Sequence, residues 1–327
     1  MTDCSPQPAD LRLTLSTLRA RAPLFPLSSI AVGNFDGVHV GHRRILETAA
    51  KWGARCGAAV VALTFDPHPQ AVVGRGSPPA LGTLDERLAQ LRSAGARTTV
   101  CLRFDEELAR LPARAFAEEV LKAGLGAAHV AVGFNFRFGH RAEGTVDLLK
   151  QIGLGSGFAV HAVGPVRVDG QVVSSSLIRE RLSAGDVEGA ARLLGRPYRL
   201  SGLVRTGERR GRTLGFPTAN VEPRPGLVVP GEGVYRVRFA AGSGPDMAAV
   251  AVIGTRPTFG GRTLSLEVHV LDFHGDLYGQ PAEVAFLDRI RGVSRFRSAD
   301  ELRRQIELDV KEARRRFKAE QAAPARP

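Results

Sequence analysis

At 327 residues the chain is long for a single hydrophobic core, so two domains are expected. It has no run of about 18 apolar residues and no basic-then-apolar leader, which excludes a membrane-spanning helix and predicts a cytoplasmic protein without a membrane partner. The three cysteines are odd in number and lie at unrelated spacings, so neither a disulfide framework nor a cysteine metal site is predicted.

The net charge of +12 leaves nucleic-acid binding open as an alternative. Only five of the 45 basic residues are lysines, and the arginines are scattered along the chain. The one cluster, Arg303–Arg316, is interleaved with Asp and Glu, which predicts a solvated face of an amphipathic helix. Because a positive field would also favour polyphosphate substrates, charge alone does not separate a nucleic-acid-binding protein from a nucleotide-using enzyme.

A strand, a glycine-bearing turn and a helix form the first strong pattern. The apolar run Ile30–Val32 predicts a buried strand, and apolar residues at helical spacing begin at Ile45. In α/β folds such a junction binds phosphate, because free backbone N–H groups and the positive end of the helix dipole face the anion. Gly37 and Gly41 would let the backbone approach a phosphate closely.

His39 and His42 are three residues apart and should share one face of the first helical turn. Two imidazoles there could donate hydrogen bonds to a triphosphate. Two alternatives are ordinary surface histidines and a zinc pair, although no Cys or carboxylate lies nearby at ligand spacing. The preceding strand and the two glycines favour the phosphate site.

Strands and helices alternate through residue 173. The predicted strands are Ala58–Phe65, Thr98–Phe104, His129–Gly133, Phe158–Val163 and Val166–Val173, and the predicted helices are Thr83–Ala94, with a capping box from Thr83 to Glu86, and Pro112–Ala123. This alternation predicts a doubly wound parallel sheet, as in a Rossmann-like α/β domain. The turn after the first of these strands, Asp66–Pro69, lies at the edge where such sheets bind ligands.

Two later stretches carry polar groups at the same edge. Phe134–Gly139 alternates aromatic and polar residues, and follows a strand directly; a simple continuation of that strand is the alternative. Ser174–Ser176 precede a helix and could be no more than its N-cap. Arg179 lies one turn into that helix, where a guanidinium can bind phosphate oxygens.

The pattern changes after a short helix that Asp186 opens and Gly195 ends. We place the first domain at residues 1–185, a linker at 186–196 and the second domain at 197–327. Successive strands without helices predict a small antiparallel β-barrel followed by one helix. The strands are Tyr198–Arg205, Gly233–Ala240, Met247–Ile253, Thr263–Leu271 and Ala282–Phe286, and the helix runs from Ser298 to about Lys318.

The stretch Gly202–Asn220 carries the chemistry of the second half. It is not a P-loop, because Glu208 stands where the motif requires Lys, and a glycine-rich β-turn is the alternative. The Thr218 hydroxyl and the Asn220 carboxamide are two residues apart on an extended chain, so they point the same way and offer oxygens to a hard cation such as Mg²⁺. Glu267 interrupts an apolar strand, where it could also simply face solvent.

These motifs resemble those of one enzyme family. Gly-Asn-Phe-Asp-Gly-Val-His-x-Gly-His and Val-Ser-Ser-Ser-x-x-Arg are similar to the two signatures of the nucleotidylyltransferase superfamily, the first in the form found in bacterial bifunctional riboflavin kinase/FMN adenylyltransferases (FAD synthetases). Gly-Arg-x-Leu-Gly-Phe-Pro-Thr-Ala-Asn resembles the riboflavin kinase signature. The resemblance covers about residues 28 to 318.

The resemblance implies roles for individual residues. His39, His42 and Arg179 would stabilise triphosphate charge, and Glu267 would be the general base for the riboflavin 5′-hydroxyl. ATP and its phosphates would be bound by Gly33, Asn34, Phe35, Gly41, Ser175, Ser176, Gly207, Gly211 and Thr213. Flavin would be bound by Phe65, Asp66 and Asn135, and Mg²⁺ by Thr218 and Asn220.

The chain is therefore predicted to phosphorylate riboflavin to FMN and to adenylylate FMN to FAD, with MgATP in both steps. Its predicted partners are the small molecules riboflavin, FMN and ATP, with no nucleic acid, and a homo-oligomer is left open. Two rival predictions are another small-molecule adenylyltransferase with an unrelated C-terminal module and a basic nucleic-acid-binding protein.

Overall fold

Apolar runs in the first half of the chain form a six-stranded sheet in the computed structural model, which describes residues 9–74, 76–206, 215–258 and 261–322. Its strands are β1 (Ala9–Leu13), β2 (Ser28–Val32), β3 (Ala59–Asp66), β4 (Thr98–Arg103), β5 (Ala127–Gly133) and β6 (Ala159–Val163). The spatial order is β1-β4-β3-β2-β5-β6, and every neighbouring pair is parallel. The predicted parallel sheet is confirmed.

The strand order reverses between β2 and β5, which lie side by side. In doubly wound sheets the crevice beyond the carboxyl ends of two such strands is the usual ligand site. Gly33 follows β2 and Phe134 follows β5, so the two predicted ligand segments start at the same switch point.

Helices connect and cover the strands: α1 (Leu15–Arg21), α2 (Val40–Cys56), α3 (Pro69–Val72), α4 (Leu84–Ser93), α5 (Glu106–Ala109), α6 (Ala113–Ala115) and α7 (Val146–Ser156). The predicted capping box is present, since Thr83 and Glu86 bond each other's backbone N–H groups at the start of α4. A 3₁₀ turn, His140–Ala142, precedes α7.

Two local predictions and one alternative differ from the structure. The helix predicted for Pro112–Ala123 is α-helical only in α6 and continues as a π-helix over Phe116–Gly124. The strand predicted for Val166–Val173 is a hairpin of β7 (Arg167–Val168) and β8 (Gln171–Val172), because Asp169 and Gly170 both take positive φ and turn the chain. The stretch Phe134–Gly139 forms a turn and does not continue the strand.

Successive apolar strands in the second half close into a six-stranded antiparallel barrel. The strands are β9 (Tyr198–Arg205), β10 (Ala219–Pro223), β11 (Gly233–Ala241), β12 (Met247–Thr258), β13 (Gly261–Val270) and β14 (Pro281–Arg291). Their order around the barrel is β10-β13-β12-β11-β14-β9. The predicted barrel is confirmed, and β10 is a strand in addition to the five predicted. Tyr198, Tyr235, Phe239 and Phe286 are large and fully buried within it.

Packing divides the chain into two units, Met1–Pro78 with Thr83–Ser174, and Pro79–Gly82 with Ser175–Pro327. The second unit contains the barrel together with α8 (Ser175–Ser183) and α9 (Val187–Leu194), and the backbone N–H of Gly231 donates to the carbonyl of Leu182 at 2.8 Å. The boundary between the two activities, predicted at residues 186–196, remains a prediction.

The C-terminal helix α10 (Ala299–Ala322) covers the outside of the barrel. Its apolar side places Ala313 and Phe317 against Val234 and Val250. Its opposite side is charged and forms ion pairs such as Arg303 with Glu307. Within the ranges that the structure covers, no helix is long and apolar enough to cross a membrane.

Asp309 on α10 is expected to matter for stability. It is 4% exposed and accepts hydrogen bonds from both Nε and Nη2 of Arg291, and from Gln305. Asp309→Ala leaves the half-buried Arg291 guanidinium without its carboxylate partner and should cost ~2–3 kcal/mol, or about 5–10 °C in melting temperature. Glu307→Ala removes only an exposed pair and should change the melting temperature little. Equal shifts in the two variants would contradict a structural role for Asp309.

Candidate active sites

The loop after β2 is strained. Phe35 and Val38 take positive φ, 52° and 37°, although neither is glycine, and both are completely buried. Such a backbone costs about 1–3 kcal/mol per residue and persists only where packing enforces it, which occurs most often at functional sites. Gly33 fits beneath Phe35, because a Cβ there would lie 3.2 Å from the ring.

His39 and His42 form a stacked pair at the start of α2. Their ring centroids are 3.5 Å apart with an interplanar angle of 15°. His39 caps the helix, since its Nδ1 accepts a hydrogen bond from the backbone N–H of His42 at 3.2 Å. That Nδ1 therefore carries no hydrogen, and in the neutral ring Nε2 is the N–H donor.

The surroundings of the His42 ring limit its hydrogen bonding and its charge. Its side chain is half-buried and its Nδ1 is shut off from solvent, with no hydrogen-bond partner in the described part of the chain. Burial, together with the neighbouring His39 ring, holds the pKa of His42 well below its usual value, so the imidazole is neutral at pH 7. A buried polar atom without a partner is costly unless a ligand satisfies it.

Asn34 is fixed by groups that the sequence did not indicate. Its carbonyl accepts hydrogen bonds from Thr64 Oγ1 at 3.1 Å and from Arg87 at 2.9 Å, and its Nδ2 lies 3.4 Å from His68 Nε2. The Arg87 side chain is only 10% exposed and also donates to Asp66 at 3.3 Å. The one sequence feature that could have indicated a role for Arg87 was its place near the start of α4, at this edge of the sheet.

The predicted flavin-binding residues have different surroundings. Phe65 lies in the core, with its ring centroid 5.9 Å from that of Phe104 and 6.3 Å from that of Phe116. Asp66 is half-exposed and paired with Arg87, whereas Asn135 is exposed in the turn after β5. Flavin contacts of Phe65, Asp66 and Asn135 stay predictions.

The second signature lies on α8, in the unit that contains the barrel. Ser175 and Ser176 occupy its first turn, and Arg179 Nε donates to the carbonyl of Pro79 at 2.7 Å. The part that these three residues play beside His39 and His42 stays a prediction.

Three predicted kinase residues lie together on the outer face of the barrel. Asn220 on β10 is paired directly with Glu267 on β13. Thr218 Oγ1 donates to Glu267 Oε2 at 3.3 Å. All three are half-buried, and they alternate with buried Ala219 and Val268, which point into the barrel. A hydroxyl, a carboxamide and a carboxylate therefore face one side.

The remaining predicted phosphate residues, Gly207, Gly211 and Thr213, lie outside the described residues. Among the residues placed by the structure, no group of three or more His, Cys, Asp or Glu could hold a metal ion. The predicted magnesium ligands Thr218 and Asn220 offer neutral oxygens, and Glu267 lies beside them.

Comparisons with known proteins match both halves of the chain. A family model described as FAD synthetase matches residues 25–177, and one described as riboflavin kinase matches residues 194–317. The bifunctional riboflavin kinase/FMN adenylyltransferase of Escherichia coli (strain K12) is 39% identical over 289 residues, which cover 88% of this chain and 92% of the relative. The enzyme of the same description from Bacillus subtilis (strain 168) is 36% identical over 295 residues, covering 89% and 92%.

Among solved structures, one described as a macrolide-efflux protein from Streptococcus pneumoniae matches with a TM-score of 0.84 and 30% identity, covering 93% of this chain and 99% of that chain. The likeness therefore extends over both units.

Proposed function

This chain belongs to the family of bifunctional riboflavin kinase/FMN adenylyltransferases, and we propose that the two groups of residues described above carry its two reactions. The enzyme phosphorylates riboflavin to FMN and adenylylates FMN to FAD. One observation carries the assignment of residues. His39 and His42 lie within the match to FAD synthetase, and Thr218, Asn220 and Glu267 lie within the match to riboflavin kinase, each group at a position where its fold brings polar side chains together.

In the adenylyl transfer, an FMN phosphate oxygen attacks the α-phosphorus of ATP, the bond to the bridging oxygen breaks, and pyrophosphate leaves. The attacking group is already an anion, so no strong base is required. The imidazoles of His39 and His42 donate to the triphosphate as charge moves onto the leaving group. Arg179 binds phosphate oxygens, and the loop Gly33–Phe35 with Gly41 accommodates the nucleotide.

In the phosphoryl transfer, Glu267 takes the proton of the riboflavin 5′-hydroxyl while that oxygen bonds to the γ-phosphorus and ADP leaves. The hydroxyl of Thr218 and the carboxamide of Asn220 are oxygen donors of the kind that Mg²⁺ prefers, and both lie beside Glu267. When bound, Mg²⁺ would neutralise charge on the phosphates. The residues themselves act mainly by position and electrostatics.

We also propose that the enzyme works in the cytoplasm and has no nucleic-acid partner. Within the described ranges, many of its arginines form ion pairs, for example Arg19 with Glu119 and Arg199 with Asp246, which lowers the positive charge that they offer to nucleic acid. A DNA-binding titration against salt would contradict this if it gave tight binding with a steep salt dependence.

The direct test is chromatography of the products from riboflavin and MgATP. FMN should appear first and FAD later, with pyrophosphate released in the second step. Formation of FMN without FAD, or of neither, would overturn the assignment of two activities.

Cutting the chain should separate the reactions. A fragment 175–327 keeps the barrel together with α8 and α9, and it lacks only Pro79–Gly82 from its compact unit. We expect it to make FMN from riboflavin and to make no FAD from FMN. A fragment that is folded by circular dichroism yet makes no FMN would refute the division.

Gly41→Ala should impair adenylyl transfer alone. A Cβ at Gly41 would lie 3.1 Å from Cε1 and 3.2 Å from Nδ1 of His39, so the ring must shift from the position in which it caps α2. We expect FAD formation from FMN to fall about tenfold, the equivalent of ~1.4 kcal/mol. Gly155→Ala on α7 meets no neighbouring atom and is the matched control. Equal rates in the two variants would contradict the role of the histidine pair.

A further inference from the structure

The backbone pairing between β10 and β13 ends at Ala219 and Val268. Beyond this pair, a side chain of β13 contacts the segment that precedes β10. Pro217, just beyond, has no N–H to donate. Its carbonyl lies 2.8 Å from Nδ1 of His269. Because a carbonyl only accepts, Nδ1 carries the hydrogen and donates it.

His269 also contacts the residue before Pro217. The rings of Phe216 and His269 lie edge to face, with centroids 5.5 Å apart and an interplanar angle of 80°. One imidazole thus fixes two successive residues, by a hydrogen bond to one and an aromatic contact to the other.

The segment fixed in this way leads directly into the kinase residues. Thr218 follows Pro217, and its hydroxyl donates to Glu267 at 3.3 Å. Glu267 and His269 are two residues apart on β13 and face the same side, since the intervening Val268 is buried. The proposed base, Glu267, therefore lies on the same strand as His269, which holds the segment that carries the Thr218 hydroxyl.

We propose that His269 is a positioning residue for riboflavin phosphorylation, and the proposal rests on the roles proposed above for Thr218 and Glu267. Its Nδ1–H holds the Pro217 carbonyl so that the Thr218 oxygen stays beside the base. Residues that orient a ligand side chain in this way typically change metal affinity or activity by about 10–100-fold when they are replaced.

The test separates the hydrogen bond from simple packing. His269→Asn places an amide N–H close to the position of Nδ1–H, whereas His269→Gln places it farther out, and His269→Leu has none. We expect the Leu and Gln variants to lose about tenfold or more in kcat for FMN formation and to need more Mg²⁺, and the Asn variant to recover most of both. His274→Leu is the control, because His274 is exposed and lies beyond the end of β13. This variant should match wild type.

FAD formation from supplied FMN, measured in the same full-length proteins, should not change, because His269 lies on the barrel strand β13. Thermal unfolding followed by circular dichroism reports on the folding of the barrel. Equal loss in the Asn and Gln variants, or wild-type kinase activity in the Leu variant, overturns the proposal. Thr218→Ala separates the proposed role of His269 from the proposed role of Thr218. If Thr218→Ala is inactive as a kinase while His269→Leu is normal, only the role of His269 fails; if both are normal, the proposed role of Thr218 fails with it.

Discussion

Replacing His42 by alanine is expected to slow the formation of FAD from FMN ~10²–10³-fold, the usual effect of removing one preorganised donor to developing charge. The structure strengthens this expectation in two ways. The His42 ring is stacked on His39, and its Nδ1 is buried without a partner in the described residues. Its depressed pKa keeps it neutral, so it enters the reaction as an uncharged donor.

The control for His42→Ala lies within the same protein, since phosphorylation of riboflavin should be nearly unchanged. His161→Ala is a second control, because His161 is exposed on β6. His42→Asn and His42→Gln place an amide near Nδ1 and Nε2 respectively, so whichever variant recovers activity identifies the nitrogen that acts. An unchanged rate in His42→Ala would make His42 an ordinary helix residue.

Much of the secondary structure was predictable because its signals are local. The capping box of α4 needs only Thr83 and Glu86, three residues apart, and α9 ends at Gly195 with φ of 71°, which glycine adopts easily. The turn from β2 into α2 was likewise visible in a ten-residue stretch, Gly33–His42. Local hydrogen bonding and backbone preference decide such features.

Other features depended on contacts between distant segments. The carbonyl of Asn34 is held by Arg87, 53 residues away, and no periodicity of the sequence indicates such a pair. Strand β10 is short, with Pro217 just before it and Pro223 at its end, so its sequence is typical of a turn. Its pairing with β9 and β13 makes it a strand. The π-helix after α6 also carries an ordinary helical pattern of buried residues.

The proposed kinase site depends on both local and long-range features of the sequence. The two-residue repeat of an extended chain correctly put Thr218 and Asn220 on one side. Their place beside Glu267 depends on the register of β10 on β13, which joins residues 49 positions apart. The same register brings His269 to Pro217, a contact that no local pattern of residues indicates.

Glu267→Gln is expected to slow FMN formation about 10²-fold and to leave FAD formation from supplied FMN untouched. Gln has nearly the shape of Glu, and its carbonyl can still accept the hydrogen bond that Thr218 donates at 3.3 Å. It cannot take a proton near neutral pH, so the change removes the base alone. Loss of a general base usually costs ~10²–10⁴ in rate.

The lower part of that range is expected because phosphoryl transfer passes through a loose transition state that depends less on a base. Binding of riboflavin with MgATP, followed by flavin fluorescence, should change little, since the packing and the oxygens of Thr218 and Asn220 remain. Glu267→Ala should be worse, because it also removes the acceptor for Thr218. If the Gln variant makes FMN at nearly the wild-type rate while the Ala variant does not, then Glu267 orients Thr218 and is not the base.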